Sequence, residues 1–358
     1  MGAYVLRRLG VAVVLLFVLS IVTFAMYFEI PANPAAMVVD MKHATPAEIA
    51  QARHALGVDR PVYVQYGKYV WRALHGDLGD SWASQQFFAR AGLEGGQPVR
   101  QIVWQAAKVT GSLVLGGFVL LLALAIPLGT FVATRPRGLV DRLTLGFSLA
   151  AISTHPLVVG LLLQLFVGGR WHLAPFSGYC SLMPPSADAR AQAARFGNDI
   201  CGGPLHWASH LALPWLTFAL FFVALYLRMM RARMLEVLEE PYVRTARAKG
   251  ASELQVIRRH ALRNAIAPIV TMVGMDAGMA VGIALYVETV FALPGLGRTT
   301  ILALRGFTGF DLPVIVGVVL VTAIAIILLN LVVDLLLYAI DPTIARRGRR
   351  AGVRAAAA

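Results

Sequence analysis

Residues Glu239 to Pro268 read EEPYVRTARAKGASELQVIRRHALRNAIAP, the most basic long segment of a strongly apolar chain, set between two hydrophobic spans. A stretch of that composition belongs in water, so it is expected to form a folded cytoplasmic loop. Residues 243–249 have helix-forming composition and stop at Gly250, the residue favoured just past a helix C-terminus because a left-handed conformation is free of Cβ strain there. Ser252, with Gln255 three positions on, has the spacing of a capping box, so a second helix should start at that point. In it Leu254, Ile257 and Ala261 should share a packing stripe, with Arg258, Arg259 and Arg263 largely around the other side. The pattern is helix, glycine turn, helix. A basic loop that only fixes membrane topology would carry the same charge but has no need of this punctuation.

The rest of the chain sets the context. Its 358 residues are 58% hydrophobic and 14% charged, which excludes an ordinary soluble domain and places long runs in a bilayer. The net charge of +13 would fit nucleic acid if it formed a stripe on a soluble domain. It lies instead in short segments between apolar runs, so it reads as topology with some attraction to anionic membrane lipid, and nucleic acid is not expected as a partner.

Six spans follow in order, over residues 9–28, 102–134, 143–167, 211–227, 265–292 and 312–340. Arg7 and Arg8 keep the N-terminus inside, and the first run is too long for a signal-peptide core, so residues 1–28 read as a retained anchor. Residues 29–101 are mixed and polar, with Thr45, Pro46 and Glu48 placed as a helix start, and should form a small extracytoplasmic helical region. Pro127 should kink the second span near one end. Ser153, Thr154, His155 and Pro156 interrupt the third, as a structural kink or as a bend lining a pathway. Cys180 and Cys201, the two cysteines of the chain, fall in an outer loop over residues 168–208 and are expected to form a disulfide. With His206 and His210 they could in principle bind zinc, but the close cysteine pair of a finger is missing and no metal is expected.

In the fifth span Gly274, Gly278 and Gly282 repeat every four residues and let another helix approach. Asp276 among them is costly at membrane depth; it faces either a pathway or a buried partner. A cytoplasmic loop over residues 229–263 precedes this span, and a basic tail, residues 341–358, closes the chain inside. The fold class expected is therefore an all-α membrane protein with six transmembrane helices, both termini cytoplasmic, and an extracytoplasmic insertion after the first. Residues 102–340 form its five-helix core.

Three stretches carry a resemblance. RARMLEVLEEPYVRTARAKGASELQVIRRHALRNAI resembles the cytoplasmic loop of the inner-membrane subunits of ATP-binding-cassette importers, specifically the dipeptide, oligopeptide and nickel permease family, of the first of its two permease types. Importers generally carry Glu-Ala-Ala, three residues, Gly, nine residues and Ile-x-Leu-Pro in this loop. Here Arg244, Thr245 and Ala246 stand in for the first three, Gly250 holds the glycine, and His260, Ala261, Leu262 and Arg263 close the pattern; the peptide branch shows the same departures. ALGVDRPVYVQYGKYVWRALHGDLGDS, residues 55–81, is similar to the stretch before the second span of that family, with Gln65, Tyr66 and Gly76 to Gly79 as turn formers or substrate contacts. ETVFALPGLG, residues 288–297, resembles its Glu, Phe and Pro-Gly-x-Gly turn, built here from Glu288, Phe291, Pro294, Gly295, Leu296 and Gly297. Backbone need alone would explain those glycines.

The resemblance implies a permease subunit that pairs with a second, homologous permease around a central path, with two P-loop ATPases below and an extracytoplasmic binding protein above. Tyr242, Val243, Arg244, Thr245, Ala246, Arg247, Ala248, Lys249 and Gly250 would dock in an ATPase groove, and Asp276, Glu288 and Ser153 would line the path. The chain holds no G-x-x-x-x-G-K-[ST] loop, so ATP and Mg would be bound by the partners and no cofactor by this chain; H-E-x-x-H, G-x-S-x-G and CxxC are also absent. A conduit is therefore favoured over an enzyme. Peptides are the expected solute, favoured mildly over nickel by the absence of His and Met clustering on the pore-facing stretches. A sensor scaffold without a path is the alternative outside transport.

Overall fold

The computed structural model describes residues 2–28, 54, 61–90, 95–152, 154–183, 201–305 and 310–340. Among them the secondary structure is helical, with two isolated β-bridges and no strand. The chain divides into two compact units, Met1–Thr110 with Pro294–Ile327, and Gly111–Leu293 with Leu328–Ala358.

The first unit holds α1 (Gly2–Phe28), α2 (Val62–Leu74), α3 (Trp82–Arg90), the opening turns of α4 (Val99–Ala133), α11 (Leu296–Leu304) and the opening turns of α12 (Leu312–Ile340). Helix α1 is pinned near its end. Phe24 packs edge-on against Tyr66 at 5.3 Å, and the hydroxyls of Tyr66 and Tyr69 lie 2.8 Å from Ser20 and 2.9 Å from Thr23. The core is Val99, Val103 and Ala106 against Leu296, Ala303, Val314, Ile315 and Val318. Gly317 has no room for a side chain, since a Cβ would come within 2.8 Å of Val99. Asp311, at the threshold of α12, is buried and accepts the Ser81 hydroxyl at 2.5 Å and the Trp82 and Ala83 amides at 3.1 and 3.4 Å. One carboxylate thus satisfies the free amides at the start of α3. Thr110 does the same for α11, accepting the Leu296 amide at 2.8 Å. On the surface the Arg72 guanidinium grips Asp77 through two nitrogens and, with the Gly79 amide, holds its carboxyl below the usual range.

The second unit is arranged around α7 (Pro204–Leu238), whose apolar stretch is 61% buried against 11% for α1. Helices α5 (Leu139–Ile152), α6 (Pro156–Leu163) and α10 (Leu262–Val290) pack on it. Glycines let α4 come close: a Cβ on Gly116 would fall 2.2 Å from Trp215, one on Gly117 2.4 Å from Phe218, and one on Gly129 2.7 Å from Met230. An aromatic ladder, Phe118, Phe218, Phe222 and Tyr226, runs up this contact with centroids 5.2–6.3 Å apart. Helix α4 continues unbroken through Pro127, and α7 through Pro214.

Among the described residues, five helices are long and apolar enough to cross a membrane, in Leu9–Met26, Val99–Ala133, Pro204–Leu238, Glu253–Val290 and Leu312–Leu337. The expected third span is not one helix. It is divided into α5 and α6, and α6 runs on into a π-helical segment, Gln164–Arg170. The cause is local: Pro156 lacks an amide proton for a helix continuing from α5, while the His155 ring accepts the Leu157 amide at 3.2 Å and caps α6 as a new start. Ser153, the helix start expected at Thr45 and the tail at 341–358 lie outside the described residues.

Candidate functional site

The basic stretch folds as its punctuation requires. Helix α8 (Pro241–Ala248) opens with Pro241 at its first position, and Gly250 follows it at φ +82°. Nothing lies within 4 Å of a Cβ built on Gly250, so the demand for glycine there is conformational, not steric. Ser252 and Gln255 form the reciprocal capping box and start the one-turn helix α9 (Glu253–Gln255). A π-helical segment, Val256–Ala261, then leads straight into α10.

Three contacts hold α8 in place. Val243 is completely buried, the Tyr242 hydroxyl accepts from the Asn264 amide nitrogen at 2.6 Å, and Arg247 clasps both oxygens of Glu253 at 3.1 and 2.7 Å across the glycine turn. The exposed Thr245 hydroxyl donates one turn back to the Pro241 carbonyl at 3.0 Å. Arg244, Ala248 and Lys249 remain exposed, and Ala246 is half-buried.

The packing stripe of the second helix differs from the expected one. Leu254 is 62% exposed, and the residues that bury are Val256 and Ala261, with Ile257 half-buried. The wider π-turn advances each residue by less than the 100° of an α-helix, so a stripe counted at 3.6 residues per turn loses register inside it. Arg258, Arg259 and Arg263 do face outward. The result is a surface with several cations around two exposed apolar groups, Tyr242 and Leu254.

A second group of interest lies along α10. Asp276 is half-buried, and its carboxylate accepts the hydroxyl of Tyr226, a wholly buried residue of α7, at 2.8 Å. Of the three spaced glycines, Gly274 lies tight against Val333, whereas Gly278 and Gly282 meet nothing within 4 Å. Glu288 is completely buried, as is Phe291. In the turn that follows, the left-handed residue is Ala292, at φ 55°; Gly295 is extended and Gly297 helical. Backbone need therefore does not explain those two glycines. Gln164 bridges this end of α10, donating at 3.0 Å to the carbonyls of both Phe176 and Val290, and the His155 ring sits edge-on to Tyr286 at 4.8 Å.

Cys180 and Cys201 are joined as a disulfide with their Cα atoms 5.0 Å apart. His210 Nδ1 lies 3.3 Å from the Cys180 sulfur and 2.9 Å from the His206 carbonyl. These two cysteines and His210 lie within metal-binding reach of one another, but the sulfurs are spent on each other and His206 is not part of the group.

Sequence patterns gave no sign of the ion pair between Arg231 of α7 and Asp141 of α5, made through two nitrogens and two oxygens at 2.5 and 2.7 Å and backed by the Arg137 amide at 3.0 Å. Nor did they mark Tyr226 or Gln164, whose partners lie 50 and 126 residues away.

Multiple apolar helices, a basic helix-turn-helix between two of them and a disulfide-closed loop define a multi-pass membrane protein. Residues 125–346 match the family model for the binding-protein-dependent transport system inner membrane component, and residues 1–86 match the N-terminal model for membrane components of the same systems. The chain is 35% identical over 352 residues to the dipeptide transport system permease protein DppB of Escherichia coli K12, covering 95% of this chain and 98% of that protein. It is 33% identical to a probable peptide ABC transporter permease protein of Sinorhizobium fredii and 30% identical to a putative peptide transport system permease protein of Brucella abortus, each alignment covering 96% of this chain and 99% of the relative. The chain belongs to the family of binding-protein-dependent transport system inner membrane components. It is a multi-pass protein of the bacterial inner membrane.

Proposed function

We infer that this chain is the permease subunit of an ATP-driven importer of peptides. It forms half of the translocation path with a second, homologous permease, and takes its energy from two P-loop ATPases that bind the ATP and Mg. An extracytoplasmic binding protein delivers the solute. The observation that carries this is α8, presented between α7 and α10. Its buried Val243, its Tyr242–Asn264 tie and its Arg247–Glu253 clasp join it firmly to the α10 segment, so a push on α8 would be passed to that span. Relatives named for peptide transport over nearly the full length support the solute class.

In this account both termini are cytoplasmic and six spans cross the membrane, the third by way of α5 and α6 in series. Residues 29–101 and 168–208 lie outside, the second closed by the disulfide, and 229–263 and 341–358 lie inside. Tyr242 to Gly250 dock on an ATPase, with Arg244 and Lys249 at the contact. Asp276 and Ser153 border the path, whereas Glu288, expected there, is completely buried and supports it from within the packed helices. Reconstitution of the complete complex in liposomes tests this. Dialanine should enter only with ATP and the binding protein. Gly250→Val, which forces a branched side chain to positive φ, should insert normally and keep the second permease yet lose most uptake; normal uptake by that variant would remove the loop from the mechanism.

A further inference from the structure

We propose that Asp276, positioned by Tyr226, binds the N-terminal ammonium of the peptide during passage. This rests on the reading of the chain as lining a peptide path. The carboxylate sits in an otherwise apolar run, TMVGMDAGMAVGIALYV, where an ionisable group at membrane depth is costly and has to face protein or water. Its observed partner does not remove that cost. The Tyr226 hydroxyl is a neutral donor fixed in the core, so it aims the carboxylate at 2.8 Å without supplying it a cation. Among the described residues the ion pairs are Arg72–Asp77, Arg231–Asp141, Arg233–Glu236 and Arg247–Glu253, and none includes Asp276.

The surroundings describe the ligand. Met275 and Met279, which precede the acid and follow it by one turn, are 79% and 57% exposed. Such thioethers offer a chain-like solute a flexible surface that adapts to varied side chains. The cation common to peptides of any sequence is their N-terminal ammonium, protonated at neutral pH. A single acid on an adaptable surface can therefore serve many peptides, which a site specific for side chains could not.

The test is a ratio measured in the reconstituted complex: uptake of dialanine against lactoyl-alanine, in which a hydroxyl replaces the ammonium. Selection by the binding protein is the same for wild type and variants and cancels in the comparison. Asp276→Asn should lower the preference for dialanine by about tenfold or more, Asp276→Glu should keep part of it, and Tyr226→Phe should reduce it less than Asp276→Asn. An unchanged ratio in Asp276→Asn, or equal loss of both rates in an assembled complex, would overturn the proposal. Loss of the second permease from the Asp276→Asn complex would overturn it in favour of a partner cation. Failure of the wild-type complex to take up dialanine would instead remove the peptide-importer reading on which the proposal stands.

Discussion

Asp311 and Asp276 are both carboxylates associated with long apolar helices, one in each unit, and they are held in opposite ways. Asp311 is buried and closed, its oxygens taken by a hydroxyl and two amides. Asp276 is half-buried and open, with one neutral donor. Asp141 belongs with the closed kind, bound by Arg231 and the Arg137 amide. Closed acids join elements far apart in sequence. An open acid has a charge left to offer, and the difference separates a structural role from a functional one more sharply than the residue type does.

Removal of each acid should therefore register in a different assay. The largest effect on stability should come from Asp311→Ala, which strands buried donors and should cost roughly 3 kcal/mol; it should also open the 61–90 region to protease. Asp141→Ala should cost less, about 2 kcal/mol. Asp141 is buried, but Arg231 keeps 21% of its side chain exposed and can reach water, so the penalty of a broken buried pair is discounted, and a second change, Arg231→Met, should recover part of it. Asp276→Asn should change thermal unfolding in detergent by no more than about 1 kcal/mol, because the amide oxygen can still accept from Tyr226. A melting shift as large as that of Asp311→Ala would erase the distinction. The smallest effect belongs to the exposed Asp77. Its folded-state pKa is depressed by Arg72, so the contribution is present above the unfolded value of 3.8 and is lost as pH falls through the lower folded value. At this exposure it is worth at most about 1 kcal/mol and should fade with salt. An Arg72→Ala protein should lack that step in its acid unfolding curve.

What the sequence disclosed was local. The end of α8 before Gly250 and the Ser252–Gln255 capping box depend on residues whose types are diagnostic at short spacing, and the disulfide on the chain's two cysteines sharing one loop. The third span was harder, since an apolar run with Pro156 inside it can kink or break, and the capping by the His155 ring that decides between them shows only in three dimensions. The misplaced Leu254 stripe has a similar origin, because no residue pattern announces a π-turn. Asp311 and Arg231 find their partners 230 and 90 residues away, and a single sequence carries no signal for a hydrogen bond at that distance. Asp276 stood out as a charge in an apolar run, while Tyr226, which gives it direction, looked like one more aromatic in a span.

The central claim is that this chain couples to separate ATPases through α8 and its glycine turn. The most direct measurement is to purify the tagged chain from its native membrane in mild detergent and identify by mass spectrometry what accompanies it. The account predicts a second permease and P-loop ATPases, with the ATPases lost when residues 244–250 are altered and the second permease retained. Recovery of the chain alone, or ATPases that stay bound after that alteration, would contradict it.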